Sequence, residues 1–267
     1  MAHFPPIDVA ALCAEPNNKA EAGYTLKARE ALKQLARYDG THDYAYCWGY
    51  TIFRTIYTPG SDERVAAALE RLAVYARHFV THDTQLHPRG PGGATPFDTR
   101  PNEALVGRYF SELVEDGQSL ADLGESEVGE RFDAWIAQHR SRPGRERNTR
   151  FEFCLMLDEE SLDNILALPP DPYAPASSHD ADEEDENECY VKVISNRIKT
   201  EDEPGAVGRY WLRVGVVDYL WPMFFFPCDS DILIEEMGVY DPEDGVQNLW
   251  GTPQDWDREH MAMAGIY

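Results

Sequence analysis

The stretch 47–57, CWGYTIFRTIY, leaves the chain little freedom. Aromatic and β-branched side chains crowd it, which favours an extended strand over a helix. Thr58-Pro59-Gly60 must turn the chain, and Ser61 follows as a helix N-cap with Asp62 and Glu63 in the first turn. Val65, Leu69, Leu72, Ala76 and Phe79 then recur at alternating steps of four and three, an apolar stripe along one side of a helix. A strand that turns at once into an amphipathic helix predicts a sheet with that helix laid on it.

The rest of the chain repeats the theme. A helix is expected over 24–38, with Leu32 and Leu35 on one side and Gly40 as its stop. Residues 86–101 are rich in Pro and Gly and read as a loop or lid. Two further helices are expected at 102–116 and 126–139, an inserted pair. A second strand, RFEFCLML, covers 150–157, and Asp158 is placed to cap a short helix that ends at Pro169-Pro170. Residues 169–188, rich in Pro, Ser and acidic residues, are expected to be a flexible insertion. Strands at 189–198 and 208–217 follow and are expected to pair antiparallel, because no helix connects them. An irregular segment, 218–267, is expected to wrap the sheet. The fold class implied is α+β in one domain: a mainly antiparallel sheet covered by helices on one face.

Composition narrows the function classes. The formal charge is −24, and seven acidic residues lie in the run 180–188, leaving −17 over the remainder. Such a surface repels nucleic acid and anionic lipid; it serves solubility or draws cations and basic partners. No basic region followed by an apolar stretch opens the chain, and the apolar run near 219–227 is broken by Pro222. No signal peptide or membrane span is therefore expected, and the location expected is cytoplasmic. Cys13, Cys47, Cys154, Cys189 and Cys228 are odd in number and form no CxxC pair, so neither structural disulfides nor a zinc motif is expected.

One segment opposes the acidic trend. Arg140, Arg142, Arg145, Arg147 and Arg150 fall within eleven residues around Pro143-Gly144, against Glu146 alone. The loop is either a local anion site, able to meet RNA phosphates, or a solvated turn paired with the acidic run.

Alternation along the strands sorts residues by face. If the polar faces share one side, Arg54, Glu152, Lys192 and Arg213 converge with Trp48, Tyr50, Tyr190 and Trp211. Charges inside strands must meet each other, water or a ligand, so this face is either a polar-aromatic cleft or a solvated sheet face with ion pairs. Asp158, Glu159 and Glu160 end the second strand, where a carboxylate can act as a general base or bind a cationic substrate, and Asp158 can equally cap the next helix. His78, His82 and His87 lack acidic neighbours at metal-site spacing, and Gly90, Gly92 and Gly93 match no phosphate loop. No metal or cofactor is implied.

The segment WGYTIFRTIYTPGSDE with its helix, FCLMLDEESLDNIL, YVKVIS, and YWLRV leading to YLWP resemble, in that order, a filamentous-fungal protein family; together they span residues 48–222. The chain is similar to the fungal arginine-containing cyclodipeptide synthases, which join amino acids delivered as aminoacyl-tRNA. That resemblance implies an aminoacyl transferase of specialised metabolism. A base among Asp158, Glu159 and Glu152 would act, with Tyr50 or Arg54 steadying developing charge. Trp48, Arg54, Tyr190, Lys192, Trp211 and Arg213 would line the substrate site, and the arginine loop would hold the tRNA. Two other classes fit the same residues: an acidic interaction protein that binds a basic partner, and a metal-independent small-molecule cyclase or isomerase.

Overall fold

The computed structural model of the chain describes residues 4–14, 19–37, 44–86, 98–139, 148–173, 189–198, 209–217, 219–225, 239–240 and 247–249. Two helices, α1 (Val9–Leu12) and α2 (Lys19–Arg37), precede β1 (Thr51–Arg54). The long α3 (Ser61–Leu86) and short α4 (Arg100–Val106) lead to β2 (Glu112–Val114). Then come α5 (Gly117–Leu120), α6 (Glu125–His139), a 3-10 turn (Thr149–Phe151), β3 (Phe153–Leu157) and α7 (Glu159–Ala167). The antiparallel β4 (Tyr190–Ile198) and β5 (Arg209–Gly215) follow, then α8 (Leu220–Phe225), β6 (Val239–Tyr240) and β7 (Gln247–Leu249).

The class is α+β, and the β4–β5 pairing is antiparallel as expected. Among the described residues the strands form one sheet in the order β2-β1-β3-β4-β5-β7-β6. It is mixed rather than mainly antiparallel, for β1 runs parallel to both β2 and β3, and β5 runs parallel to β7. Both faces are covered, not one. Ile52, Leu155, Val193 and Leu212 pack with α2, α3, α7 and α8 on one side. Phe53, Cys154, Met156 and Ile194 pack with Val128, Phe132 and Trp135 of α6 on the other. Burial on both sides explains why TIFR is buried throughout and why FCLML is a continuous apolar run rather than an alternating one.

The inserted helical pair is the main departure from the sequence reading. Gly107 ends α4 by bonding its N–H to the Glu103 carbonyl, and the residues assigned to that helix's second half are extended. Trp48 N bonds Arg108 O, Phe110 N bonds Trp48 O, and Glu112 N bonds Tyr50 O, at 3.1, 2.8 and 3.1 Å. The open edge of β1 recruits this segment, and tertiary pairing overrides its helical periodicity. The helix expected at 126–139 is α6.

This recruitment turns β1 into the centre of a parallel trio. From β1 the chain crosses to β2 over the α3 side; from β2 it crosses back past β1 to β3 over the α6 side. The direction and the face both reverse, so the two crossovers have the same hand, as strand twist requires. Between β1 and β2 the connections leave towards opposite faces, and this opens a crevice at their carboxyl ends.

The acidic run 180–188 and most of the loop 86–101 lie outside the described residues. So does most of 218–267, whose short β6 and β7 extend the sheet edge instead of wrapping it. Cys13, Cys47, Cys154 and Cys189 are free thiols. Among the described residues no helix is long and apolar enough to cross a membrane.

Candidate functional site

Two polar centres sit at the carboxyl edge of the parallel trio. The first is built on Lys192. Register places Lys192 directly opposite Arg213 in the β4–β5 ladder, two cations side by side on one face. Carboxylates from the neighbouring elements answer them. Lys192 Nζ lies 2.7 Å from Asp158 Oδ2, 2.9 Å from Glu160 Oε2 and 2.9 Å from Glu125 Oε1 at the start of α6. Its ammonium also stands 5.4 Å from the Trp211 ring. Tyr190 donates its hydroxyl to Glu160, and Arg213 lies 5.3 Å over the Tyr190 ring with Nη2 3.6 Å from Glu160 Oε1.

The electrostatics follow from this packing. Burial opposes the charge on Lys192, but the three carboxylates outweigh it and raise its pKa above the ordinary lysine value. Lys192 is therefore a fixed cation, not a base. Burial and the adjacent Glu160 push the Tyr190 phenol up to about 12. For Glu160 burial works upward, yet the hydrogen bonds from Tyr190 and Lys192 hold it below the usual glutamate range. With Asp158, Glu160 and Glu125 against Lys192 and Arg213, the centre carries one net negative charge.

The second centre is a groove of about 540 Å³ in the crevice between β1 and β2. Arg54 ends β1 and is almost fully buried. Its Nε donates to Ile56 O at 2.7 Å, Nη1 to Glu115 at 2.8 Å, and Nη2 to Ser61 Oγ at 2.7 Å and Asp62 at 2.5 Å. Its guanidinium lies 4.6 Å over the Tyr57 ring. Ser61 thus begins α3 but spends its hydroxyl on Arg54 and the Ile56 carbonyl.

The expected single constellation is divided. Tyr190, Lys192, Trp211 and Arg213 do gather. Trp48 and Tyr50 lie on the opposite face, each wholly buried in the α2–α3–α8 core. Trp48 Nε1 donates to Leu105 O and Tyr50 OH to Leu220 O, both at 2.7 Å. The register pairs Ile52 with Leu155 and Phe53 with Met156, so the even residues of β1 share a face with the odd residues of β3. Arg54 follows Trp48 and Tyr50 to that face and joins the groove. Glu152 stands at the amino end of β3, about 20 Å along the strand from the carboxyl edge; the 3-10 turn before it breaks the alternation assumed for it.

Asp158 caps α7 as expected, Oδ1 accepting Ser161 N at 2.8 Å, and its Oδ2 lies 2.7 Å from Lys192 Nζ. Glu159 turns away to Arg64 on α3, 2.5 Å distant. Arg150 is corrected outright as a surface anion contact. It is 0% exposed, donates to Phe110 O, and lies 4.8 Å over Tyr44 and 5.7 Å over Phe110. Arg140, Arg142, Arg145 and Arg147 lie outside the described residues.

Sequence reasoning placed Glu160 with Asp158 and Glu159 at the strand end, but did not single out Glu125, Asp62 as a groove residue, Glu115 or Tyr57. Of the acids in DEE, Glu160 rather than Glu159 meets Lys192, because the first turn of α7 carries Glu159 towards Arg64 on α3. Glu115 gave no signal while its segment was read as helix. Among the described residues no three His, Cys, Asp or Glu side chains are grouped so as to hold a metal ion.

No protein-family model, curated protein or solved structure matches the chain.

Proposed function

We propose that this chain is an aminoacyl transferase of specialised metabolism that forms cyclic dipeptides from aminoacyl-tRNA, with arginine as one of the two amino acids. The observation that carries this reading is the net-anionic centre in which Asp158, Glu160 and Glu125 converge on Lys192 beside the Tyr190 phenol. An aminoacyl ester is already activated, so the enzyme need only position an amine against its carbonyl and move one proton. Excess carboxylate attracts the α-ammonium group of each substrate. The bound α-ammonium first gives one proton to solvent and becomes the amine, and a carboxylate of this centre takes the second as the amine nitrogen attacks the carbonyl carbon. The carbon–oxygen bond to the tRNA ribose then breaks and the ribose oxygen leaves with that proton; the free amine of the resulting dipeptidyl ester repeats the exchange on the remaining ester, releases the second tRNA and closes the ring. Lys192, held cationic, offsets charge developing on the carbonyl oxygen.

Arg140, Arg142, Arg145 and Arg147 supply the phosphate contacts this reading requires, without Arg150. Contact with RNA by so acidic a chain must be local and strongly salt-dependent. The reaction itself asks for no cofactor, and its substrates place it in the cytoplasm.

The test is expression in a bacterial host, which supplies every aminoacyl-tRNA, with untargeted mass spectrometry against an empty-vector control. A new ion with the mass of an arginine-containing cyclic dipeptide, lost in Glu160→Gln and Asp158→Asn, is expected. Soluble, folded protein with no such ion would overturn the proposal. Recovery of a basic protein partner from the same cells would then favour a non-catalytic acidic interaction protein, and turnover of a small molecule alone would favour a cyclase or isomerase.

A further inference from the structure

We infer that the groove between the carboxyl ends of β1 and β2 is a binding site for a small aliphatic cation, a molecule with a protonated amine or guanidine on an alkyl chain. Three independent features meet there. The first is position: this is where the connections of adjacent parallel strands leave to opposite faces, the place where open sheets present a ligand crevice. The second is shape and lining. At about 540 Å³ the groove has the size of a small-molecule site, and Val65, Ala66, Leu69 and Leu113 give it an apolar wall.

The third feature is the sign of its charge. Asp62, Glu115 and Asp116 face one cation, Arg54, whose side chain is 6% exposed and whose guanidinium is committed to four protein acceptors. Asp62 and Glu115 each give one named oxygen to Arg54 and remain 84% and 48% exposed, so they can accept further hydrogen bonds at the rim. The amino end of α3 does not make the groove an anion site. Asp62 and Glu63 already occupy its first turn and answer the helix dipole. The backbone N–H of Asp116 is spent on Tyr57 OH, and the Asp116 side chain is engaged by Gln118 N and Ser119 Oγ. An alkyl chain would lie on the apolar wall while its cationic head meets Asp62 and Glu115 beside the Tyr57 ring.

The inference stands on the groove alone and does not depend on the aminoacyl-transfer reading, so its test measures binding rather than turnover. Butylamine, butylguanidine, 1-butanol and butyrate are titrated into the full chain by calorimetry at fixed ionic strength. Both cations should bind, the alcohol at least tenfold more weakly, and butyrate not at all. Asp62→Asn and Glu115→Gln should each weaken the cations about tenfold while the melting temperature stays near that of the parent. Preference for the amine or for the guanidine supports the site in either case and identifies its head group. Absence of cation binding, equal binding of the alcohol, or unchanged binding in both variants would overturn it. A chain that makes no cyclic dipeptide can still pass this test.

Discussion

One carboxylate, that of Asp158, starts a helix and fixes a cation on another strand: Oδ1 accepts Ser161 N at 2.8 Å while Oδ2 lies 2.7 Å from Lys192 Nζ. The two tasks separate by mutation. Asn caps a helix as well as Asp does, so Asp158→Asn keeps the cap and loses only the charge, whereas Asp158→Ala loses both. Urea unfolding should show Ala about 1 kcal/mol less stable than Asn. Equal stability of the two variants would mean that the cap contributes nothing.

Lys192→Met leaves Asp158, Glu160 and Glu125 facing one another without their shared cation. A fully buried pair broken in this way costs about 3–5 kcal/mol; these carboxylates keep some contact with water, so about 2 kcal/mol is expected near neutral pH. The pH dependence gives the sharper test. In the parent, Glu160 has a depressed pKa, so its stabilisation is present above the ordinary glutamate range and is lost as pH falls through the lowered value. In Lys192→Met the crowded carboxylates favour protonation instead. The stability gap between the two proteins should therefore narrow on acidification, and a gap that is constant from neutral to acid pH would contradict the assignment.

Arg150 tests whether the arginine loop acts as a unit. Its side chain is buried against Tyr44 and Phe110, and its Nη2 bonds the Phe110 carbonyl. Arg150→Ala should cost about 3 kcal/mol through the cavity and the orphaned carbonyl. If the other four arginines bind RNA, filter binding at low salt should distinguish them from Arg150. Charge reversal at Arg145 and Arg147 should reduce the salt slope, and Arg150→Ala should leave it unchanged wherever the protein stays folded.

What the sequence made legible was local. The cap at Asp158, the stripe of α3 and the β4–β5 hairpin-like pair each depend on neighbouring residues and emerged as expected. What it hid was pairing. Residues 108–114 carry a helical pattern, and only the unpaired edge of β1 makes them extended. Without β2 the parallel trio is invisible, and with it the crevice that holds Arg54, Glu115 and Asp62. The face of β1 was misjudged for a related reason: alternation within a strand sorts residues into two sets, but only the register between strands says which set joins which. The continuous apolar run FCLML already signalled that neither face could be solvated.

The residue that makes the β1–β2 approach possible is Gly49. Its φ is +116°, a backbone conformation that side chains disfavour, and it lies between Trp48 and Tyr50, whose backbone groups bond to residues 108–112. A Cβ added here would stand 2.7 Å from the Phe110 carbonyl oxygen, closer than any relaxed contact, and the obstacle is backbone that cannot swing aside. Gly49→Ala should therefore destabilise the protein by about 3 kcal/mol, through dihedral strain and the collision together. The damage should be directional. In native-state hydrogen exchange the amides of Phe110 and Glu112, which bond Trp48 O and Tyr50 O, should lose protection before those of the β3–β4 ladder. Because the groove is walled by Leu113 and Glu115 of that same segment, cation binding should weaken in parallel. Uniform loss of protection across the whole sheet would show instead that β2 is not a separable edge, and that the groove opens only with global unfolding.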